Sequence, residues 1–220
     1  MLKNHLLMQA SHAFAAAAAL LLGCGSSQSD DGKVQQPDAS TTSQPDTSGG
    51  QSDTGSGQSD PDSFGKKFKV ADNEIAGWTL QTVDPSQPSV PTFKVYTAAT
   101  LKDRIDGGDE IYLQKGMRLA MFQEMVGAND TTCQIVAMDF GTSDQANAEY
   151  NVQLSTTEAD VAIPGYDAST AMGYSTLTGV TLVGHVKAFY FEVEIDGISD
   201  QTAAAQAAAS FFKALATKSQ

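Results

Sequence analysis

Apolar and polar residues alternate most regularly in the last third of the chain, between residues 179 and 195. The apolar side of this alternation consists of Val180, Leu182, Phe189, Phe191, Val193 and Ile195. The opposite side carries Tyr190, Glu192 and Glu194. Because side chains along a strand point to opposite faces in turn, the pattern predicts antiparallel strands with one buried face and one wet face.

Further stretches have the composition and spacing of strands, and they are residues 77–83, 92–96, 110–114, 117–126 and 132–140. Residues 127–130 have a turn composition, so the two strands that flank them are expected to form a hairpin. Residues 159–163 are a further candidate strand, followed by a Pro-Gly turn. Trp78 is expected to close one end of the core.

Two short helices are predicted between the strands. Thr142 and Gln145 match a capping box, in which a hydroxyl and a side-chain amide three residues later bond free backbone amides. Thr97 begins the second candidate, which carries Leu101 and Ile105 one turn apart and is followed by a glycine as its stop signal. Both helices are expected to pack on the sheet.

A longer helix is predicted at the C-terminus. Ser199 or Asp200 can cap it, and the residues that follow are rich in alanine. Its apolar stripe consists of Ala204, Ala208, Phe211 and Leu215. The predicted fold is therefore α+β, with an antiparallel sheet packed by this long C-terminal helix and by the shorter helices.

The composition divides the chain into three segments. Residues 25–63 consist almost entirely of Ser, Gln, Asp, Gly, Thr and Pro, which bury too little apolar surface to offset the entropy of ordering. We therefore expect a signal peptide at residues 1–23, a disordered tether at residues 24–63 and one globular domain at residues 64–220.

The charge of the protein limits the classes of molecule that it is expected to bind. The formal net charge is −13, and within residues 64–220 the acidic residues outnumber lysine and arginine by 19 to 11. We therefore expect no nucleic-acid partner. Lys66, Lys67 and Lys69 form the one basic cluster, which we interpret as a solvated strand edge.

Few residues beyond the signal segment could bind a metal or act as a nucleophile. His185 is the one histidine and Cys133 the one thiol after residue 24, which excludes a Cys/His zinc site in the monomer and an intramolecular disulfide. Cys133 shares strand parity with Ile135 and is expected to be a buried small hydrophobe. His185 is interpreted as a structural or surface residue. We expect no cofactor and no resident metal.

The segment Leu21-Leu22-Gly23-Cys24 closes an apolar run at residues 13–22 and resembles the lipobox of bacterial lipoproteins. The resemblance implies cleavage before Cys24 and acylation of its thiol, so membrane lipid would be one partner. Gly25 follows the cysteine instead of the aspartate that signals inner-membrane retention. The implied location is the outer membrane if the source has one, and otherwise the extracellular face of the cell membrane.

Two stretches resemble an uncharacterised domain family of secreted and lipid-anchored bacterial proteins. The first is Ile105-Asp106-Gly107-Gly108 followed by Glu110-Ile111-Tyr112-Leu113 and Gly116. The second is Asp139-Phe140-Gly141-Thr142 followed by Ala146 and Tyr150. The resemblance implies a fold and an envelope location, and it implies no reaction.

Carboxylates crowd the first of these stretches. The candidate ligand-site residues are Asp106, Gly107, Gly108, Asp109 and Glu110, with Asp103 nearby. Oxygens from a helix end and a turn could converge on a cation. The alternative is that Gly107 is a left-handed helix stop and the acids face water.

Three functions are compatible with this sequence. The leading hypothesis is a non-enzymatic, lipid-anchored envelope protein that binds a protein, glycan or other ligand. The second is an envelope hydrolase that uses carboxylates around Asp106 and Glu110. The third is a structural or adhesin head domain.

Overall fold

The structure is a computed structural model, and it describes residues 60–84, 88–105 and 107–220. The expected signal peptide, Cys24, nearly all of the expected tether, and Asp106 lie outside the described residues. The remaining chain forms a mixed α+β domain with an antiparallel sheet, which confirms the predicted fold class.

The described residues contain seven strands and four α-helices. The strands are β1 (Thr79–Leu80), β2 (Phe93–Thr97), β3 (Leu119–Val126), β4 (Thr132–Asp139), β5 (Ala171–Ser175), β6 (Gly179–Val186) and β7 (Phe189–Asp196). The helices are α1 (Pro61–Phe68), α2 (Asp109–Gln114), α3 (Ser143–Thr156) and α4 (Gln201–Lys218). Short 3₁₀ turns occur at Leu101–Asp103 and Ala128–Asp130.

The sheet has the strand order β1-β3-β4-β7-β6-β5, and β2 also pairs with β3. All of the pairings are antiparallel. The predicted hairpin is confirmed as β3 and β4, in which Leu119 lies opposite Asp139. The alternation between residues 179 and 195 is confirmed as the hairpin β6–β7. Strand β7 therefore lies near the middle of the sheet, between β4 and β6.

One face of the sheet is covered by α4 and α1 and is largely hydrocarbon, apart from the buried Gln123, whose side-chain amide bonds the Val70 backbone. Asp200 caps α4 by accepting a hydrogen bond from the Ala203 amide at 3.0 Å, and the predicted apolar stripe of this helix is buried. Alanines let the helix approach the strands closely. A Cβ on Gly184 of β6 would lie 2.6 Å from the Phe212 ring, so the absence of a side chain there admits that ring.

The opposite face is also covered, so the predicted wet face is wrong. Helices α2 and α3 pack over it and form a second core that includes Tyr112, Phe122, Tyr150 and Tyr190. Tyr190 is 1% exposed. The alternation revealed which residues share a face. It could not reveal that two distant segments fold back over that face, because a two-residue period carries no information about long-range contacts.

Residues 110–114 form part of helix α2 and not the predicted strand. Gly107 has a φ of 76°, which turns the chain before the helix, and Asp109 and Glu110 occupy the first turn, where the helix dipole favours negative charge. Burial of Tyr112 anchors the helix on the sheet. Tertiary packing here overrides the strand propensity of Ile111 and Tyr112.

Other predicted elements are shorter or different. Residues 77–83 contribute only the two-residue strand β1, and residues 159–163 contribute an isolated bridge between Val161 and Gly173. The helix predicted from Thr97 is reduced to the 3₁₀ turn at Leu101–Asp103.

The lysine cluster lies at the end of helix α1 and not on a strand edge. That helix begins at Pro61, inside the segment that we expected to be tether, and Asp60 caps it by accepting a bond from the Ser63 amide at 2.9 Å. Phe64 and Phe68 anchor it to the core.

Candidate functional site

The sequence-predicted ligand site lies at the start of α2. Gly107 has the left-handed conformation, Gly108 is the helix N-cap, Asp109 is half-buried and Glu110 is exposed. Asp106 lies outside the described residues. Within the described ranges, no group of three or more His, Cys, Asp and Glu side chains is arranged to hold a metal ion.

The second motif stretch positions helix α3. Asp139 is 1% exposed, and its carboxylate accepts bonds from Arg118 Nη2 at 2.9 and 2.8 Å and from the Gly141 amide at 2.8 Å. Gly141 has a φ of 81°, which reverses the chain, and Thr142 then caps α3 by accepting a bond from the Gln145 amide. These contacts connect the end of β4 to the start of α3.

A different set of polar side chains meets on the helix-covered face. Tyr112 comes from α2, Glu149 from α3, Tyr174 from β5, and Tyr190 and Glu192 from β7. We call these five residues the carboxylate–tyrosine cluster. The cluster members act electrostatically on one another, so they share one low-dielectric region between the two helices and the sheet.

Glu149 is held as half of an ion pair that joins the two helices. Its side chain is fully buried, and its carboxylate accepts bonds from Lys115 Nζ at 2.5 Å and from Gln153 Nε2 at 2.7 Å. Lys115 directly follows α2 as its C-cap residue. The ion pair therefore sets the distance between α2 and α3 and so defines one side of the cluster.

Glu192 lies in an environment that strongly shifts the pKa of its carboxyl. Desolvation first, and then the charges of Glu194 and Glu149, raise the pKa of the Glu192 carboxyl from 4.5 to about 7 in total, and the nearby Tyr190 hydroxyl acts in the opposite direction. The residue keeps part of its surface exposed. Near neutral pH this carboxyl therefore exchanges between a neutral and an ionised form.

The tyrosines of the cluster remain protonated at physiological pH. Burial raises the pKa of Tyr174 to about 12, and burial followed by the Glu192 charge raises the pKa values of Tyr112 and Tyr190. The Tyr190 hydroxyl is fully buried and forms no hydrogen bond of ordinary geometry, although it lies close enough to Glu192 to lower the pKa of that carboxyl.

Sequence reasoning identified the members of this cluster on β7 but interpreted them as solvent-facing. The sequence feature that could have revealed the cluster is the spacing Tyr190-x-Glu192-x-Glu194. It occurs in a strand that has apolar segments before and after it in the chain. A strand of that kind tends to be central in its sheet. Two acidic residues on a central strand are therefore candidates for burial, and buried acidic residues are candidates for a functional site.

The two residues that sequence analysis assigned to structural roles have such roles. Cys133 is buried, as predicted, and burial raises the pKa of its thiol well above the ordinary value. His185 is half-buried, with Nε2 2.9 Å from the Ser169 carbonyl and its ring 5.0 Å from that of Tyr150. Neither contact gives the residue the base or nucleophile that covalent catalysis requires.

Two shallow depressions occur elsewhere on the domain. One, of about 480 Å³, is bordered by Trp78, Asn129 and Gly197 near the start of α4. The other, of about 280 Å³, lies between Ile75 and the C-terminal half of α4. Neither includes a member of the carboxylate–tyrosine cluster. They carry no concentration of buried polar groups, so the cluster remains the candidate site.

Comparisons with known proteins leave the chain without an assigned family. No protein-family model matches it, and no curated protein matches its sequence. Among solved structures, it is similar to the crystal structure of the extracellular domain of PknH from Mycobacterium tuberculosis, with a TM-score of 0.35 and 12% sequence identity. That match covers 64% of this chain and 81% of the other. Among the described residues, no helix combines the length and apolarity needed to cross a membrane.

Proposed function

We propose that this protein is a lipid-anchored cell-envelope protein whose domain binds a ligand at the carboxylate–tyrosine cluster and releases it unchanged. The observation that carries the proposal is the cluster itself, which holds a partly exposed Glu192 among buried hydroxyl and carboxylate groups. Titratable groups whose pKa is strongly shifted by burial and by a charged neighbour cluster at functional sites.

The cluster is held in place before any ligand arrives. Strand β7 pairs on both sides along its whole length, so the backbone of Tyr190 and Glu192 cannot shift without breaking the sheet. The Lys115–Glu149 ion pair fixes the two helices relative to each other. Preorganisation of this kind lowers the entropy that a ligand must overcome on binding.

The anchor is the second part of the proposal. The lipobox-like segment ending at Cys24 and the polar residues 25–59 that follow motivate it. A flexible segment of that length has a root-mean-square span of roughly 35 Å. A domain held at this distance would sample ligands near the membrane surface without being pressed against it.

An envelope hydrolase is the second candidate function. Glu192 and Glu149 occupy different environments, one with a pKa of about 7 and the other paired with Lys115. Two carboxyl groups in unlike environments can divide the roles of acid and base. In this hypothesis the acid and the base are Glu192 and Glu149. The hydrolase hypothesis based on the sequence instead used carboxylates around Asp106 and Glu110.

Binding without turnover can be tested by a stability screen. The full-length chain would be heated with a panel of cationic, neutral and anionic small molecules, alongside the variants Glu192→Gln and Glu158→Gln. Glu158 is exposed and follows α3, so it is a matched control. We expect a ligand that raises the melting temperature of the parent and of Glu158→Gln but not of Glu192→Gln. Mass spectrometry should recover that ligand unchanged, and recovery of a product would favour the hydrolase.

The anchor can be tested separately by intact mass spectrometry of the protein from its native membrane, beside a Cys24→Ser variant. We expect a mature chain that begins at Cys24 and carries added acyl mass, which the variant lacks. An unmodified chain cleaved at another position would contradict the anchor and leave the binding proposal untouched.

A further inference from the structure

We propose that the domain turns one basic surface, formed by Lys66, Lys67, Lys69 and Lys187, toward the anionic headgroups of a membrane. We call these four residues the lysine surface. The inference rests on the anchor in the proposed function, and it adds the part of the domain that contacts lipid and the charge of that lipid. Three observations support it: the grouping of these lysines, their freedom from ion pairs within the described residues, and the point at which the expected tether joins the domain.

Contacts between distant segments bring the lysines together. Three of them lie at the end of α1, whose apolar side is buried in the core. Lys67 Nζ lies 4.9 Å from the centroid of the Phe189 ring, and Lys187 is in the turn directly before that residue's strand, β7. Lys69 Nζ lies 4.9 Å from the centroid of the Phe93 ring on β2. Packing of α1 on the sheet therefore joins a local run of lysines to a fourth lysine from a distant turn.

The positive charge of the lysine surface is not consumed by ion pairs. All four side chains are exposed, and none of them pairs with an acidic side chain of the described residues, whereas both arginines and two other lysines of the domain do. An aromatic ring holds an ammonium group in place without carrying a net charge of its own. Lys187 donates to the Gln220 backbone oxygen at 3.1 Å. These contacts position the lysines and leave their charge available to a partner.

The acidic residues that neighbour α1 in the chain have other contacts or lie at its far end. Asp60 and Asp62 are at the start of the helix, and Asp60 caps it. Asp72 accepts a bond from the Leu80 amide at 2.6 Å, and Glu74 is paired with a lysine outside the surface. At physiological ionic strength a charge acts over about 8 Å. The local lysines therefore decide the contact with a charged surface, although the net charge of the chain is −13.

The two ends of strand β7 differ in charge. Lys187 precedes this strand and Asp196 ends it, roughly 25 Å away for eight residues in extended conformation. Asp130 and Asp200 lie at the Asp196 end, because Thr132 pairs with Asp196 and α4 begins just beyond β7. An anionic surface attracts one end of this arrangement and repels the other. The charge distribution therefore favours one orientation of the domain at such a surface.

The expected tether joins the domain at the lysine surface itself. Residues 25–59 lead directly to Asp60, the cap of α1, so three of the four lysines belong to the first helix after the expected anchor. A lysine close to a strongly anionic membrane favours contact by roughly fivefold. The tether would let the domain leave the membrane, and the lysines would add a charge-dependent preference for one orientation near it.

This orientation would direct the carboxylate–tyrosine cluster away from the lipid. Helices α1 and α4 cover one face of the sheet, whereas α2 and α3 cover the other face, on which the cluster lies. With the lysine surface on the headgroups, the α2–α3 face would point into the space beyond the membrane. The anchor and the ligand site are then compatible in a single arrangement.

The test measures which part of the full-length chain lies closest to lipid. The chain would be reconstituted in nanodiscs of phosphatidylcholine, or of an equal mixture of phosphatidylcholine and phosphatidylglycerol, that contain a lipid with a paramagnetic headgroup. In the anionic nanodiscs we expect the NMR relaxation of the α1 amides to be enhanced more than that of the α3 amides. The difference should vanish in phosphatidylcholine alone, and in the mixture at 1 M salt, where the Debye length falls to about 3 Å.

Two double variants with the same change in net charge sharpen the test. Lys67→Gln/Lys69→Gln removes two charges from the lysine surface. Lys94→Gln/Lys102→Gln removes two exposed lysines elsewhere, and Lys94 Nζ lies over the Tyr96 ring on the α2–α3 face. The first pair should reduce the ratio of lipid-facing to free orientations on the order of 25-fold, since each lysine contributes roughly fivefold. The control pair should leave that ratio unchanged.

Three results would overturn the inference. Equal enhancement in both lipids would mean that the lysines serve another partner, such as the acidic residues 25–59 of the chain itself. The other two are equal losses in both double variants, and α3 amides that lie as close to the lipid as those of α1. The spectra also report whether each variant is folded, and Lys66→Gln/Lys187→Gln decides if the first pair is not.

Failure of this inference is distinguishable from failure of the proposed function. A chain that leaves both kinds of nanodisc would contradict the anchor together with the lysine surface. A chain that stays attached without the preference for α1 would contradict the lysine surface alone. Ligand binding at the carboxylate–tyrosine cluster is measured separately by the stability screen, so either result leaves it standing.

Discussion

The two faces of the sheet differ in what their covering helices bury. The α4 face is largely hydrocarbon, with alanine and phenylalanine side chains packed against β6 and β7, and its buried Gln123 is fully bonded to the Val70 backbone. The α2–α3 face mixes a second apolar core with tyrosine hydroxyls, an ion pair and Glu192. Burying hydrocarbon stabilises the fold, whereas burying polar groups adds little stability and creates chemistry. Under the proposed function, one face maintains the domain and the other would bind the ligand.

The largest effect is expected on the hydrocarbon face, from Phe212→Ala. Phe212 is fully buried, and its ring lies 4.8 Å from that of Tyr166 and 5.9 Å from that of Phe191. Removing it should lower the free energy of unfolding by about 4 kcal/mol through lost burial and a cavity. Urea unfolding followed by circular dichroism would measure this. Leu177→Ala, at a 96% exposed position, should change stability by less than about 0.5 kcal/mol. Equal losses in both variants would remove the distinction between the faces.

The next effect is expected from Lys115→Met on the polar face. This change leaves the fully buried Glu149 carboxylate without its cation and should destabilise the domain by about 2–3 kcal/mol, less than a fully buried pair because Lys115 is partly exposed. The double variant Lys115→Met/Glu149→Gln removes both charges and should recover most of the loss. Recovery, measured in the same unfolding assay, separates an uncompensated charge from lost packing, and no recovery would contradict the role of the ion pair.

Glu192→Gln should increase stability at alkaline pH. Because the folded-state pKa of about 7 lies above the ordinary value of 4.5, the folded protein binds this proton more tightly than the unfolded chain. The stabilisation associated with the neutral carboxyl is full below pH 4.5 and is lost as the pH rises through 7. The variant should therefore gain on the order of 2 kcal/mol at pH 8 and little at pH 5. Unfolding at both pH values measures this, and an equal change at both would contradict it.

The smallest effect is expected from Tyr190→Phe, compared with Tyr150→Phe. The Tyr150 hydroxyl donates to the Ala168 carbonyl at 2.7 Å, so its loss should cost about 1 kcal/mol. The Tyr190 hydroxyl has no bond of ordinary geometry, so its removal should be neutral or stabilise the domain by less than about 1 kcal/mol. A marked loss of stability in Tyr190→Phe would indicate that this hydroxyl is satisfied in the free protein by its contact with Glu192.

Sequence patterns predicted the structure correctly where it depends on residues that are close together in the chain. The alternation between residues 179 and 195 predicted strands and the parity of Tyr190 and Glu192, and the threonine and aspartate caps predicted the starts of α3 and α4. The prediction for residues 110–114 was wrong, because a left-handed glycine and the burial of Tyr112 favour a helix over the strand propensity of that segment. The motif around Asp139 is visible in the sequence, whereas the bonds that its carboxylate accepts from Arg118 and Gly141 depend on the tertiary structure.

The sequence by itself determined the α+β class, the long capped C-terminal helix, the central hairpins and the residues that share each strand face, because these depend on periodicity and on contacts between near neighbours. The tertiary structure alone decided that both faces of the sheet are covered and that Glu192 lies between two helices. It also decided that Lys115 pairs with Glu149, 34 positions along the chain. The physical reason is that burial and charge compensation depend on which distant segments meet, and these two quantities set the pKa of Glu192.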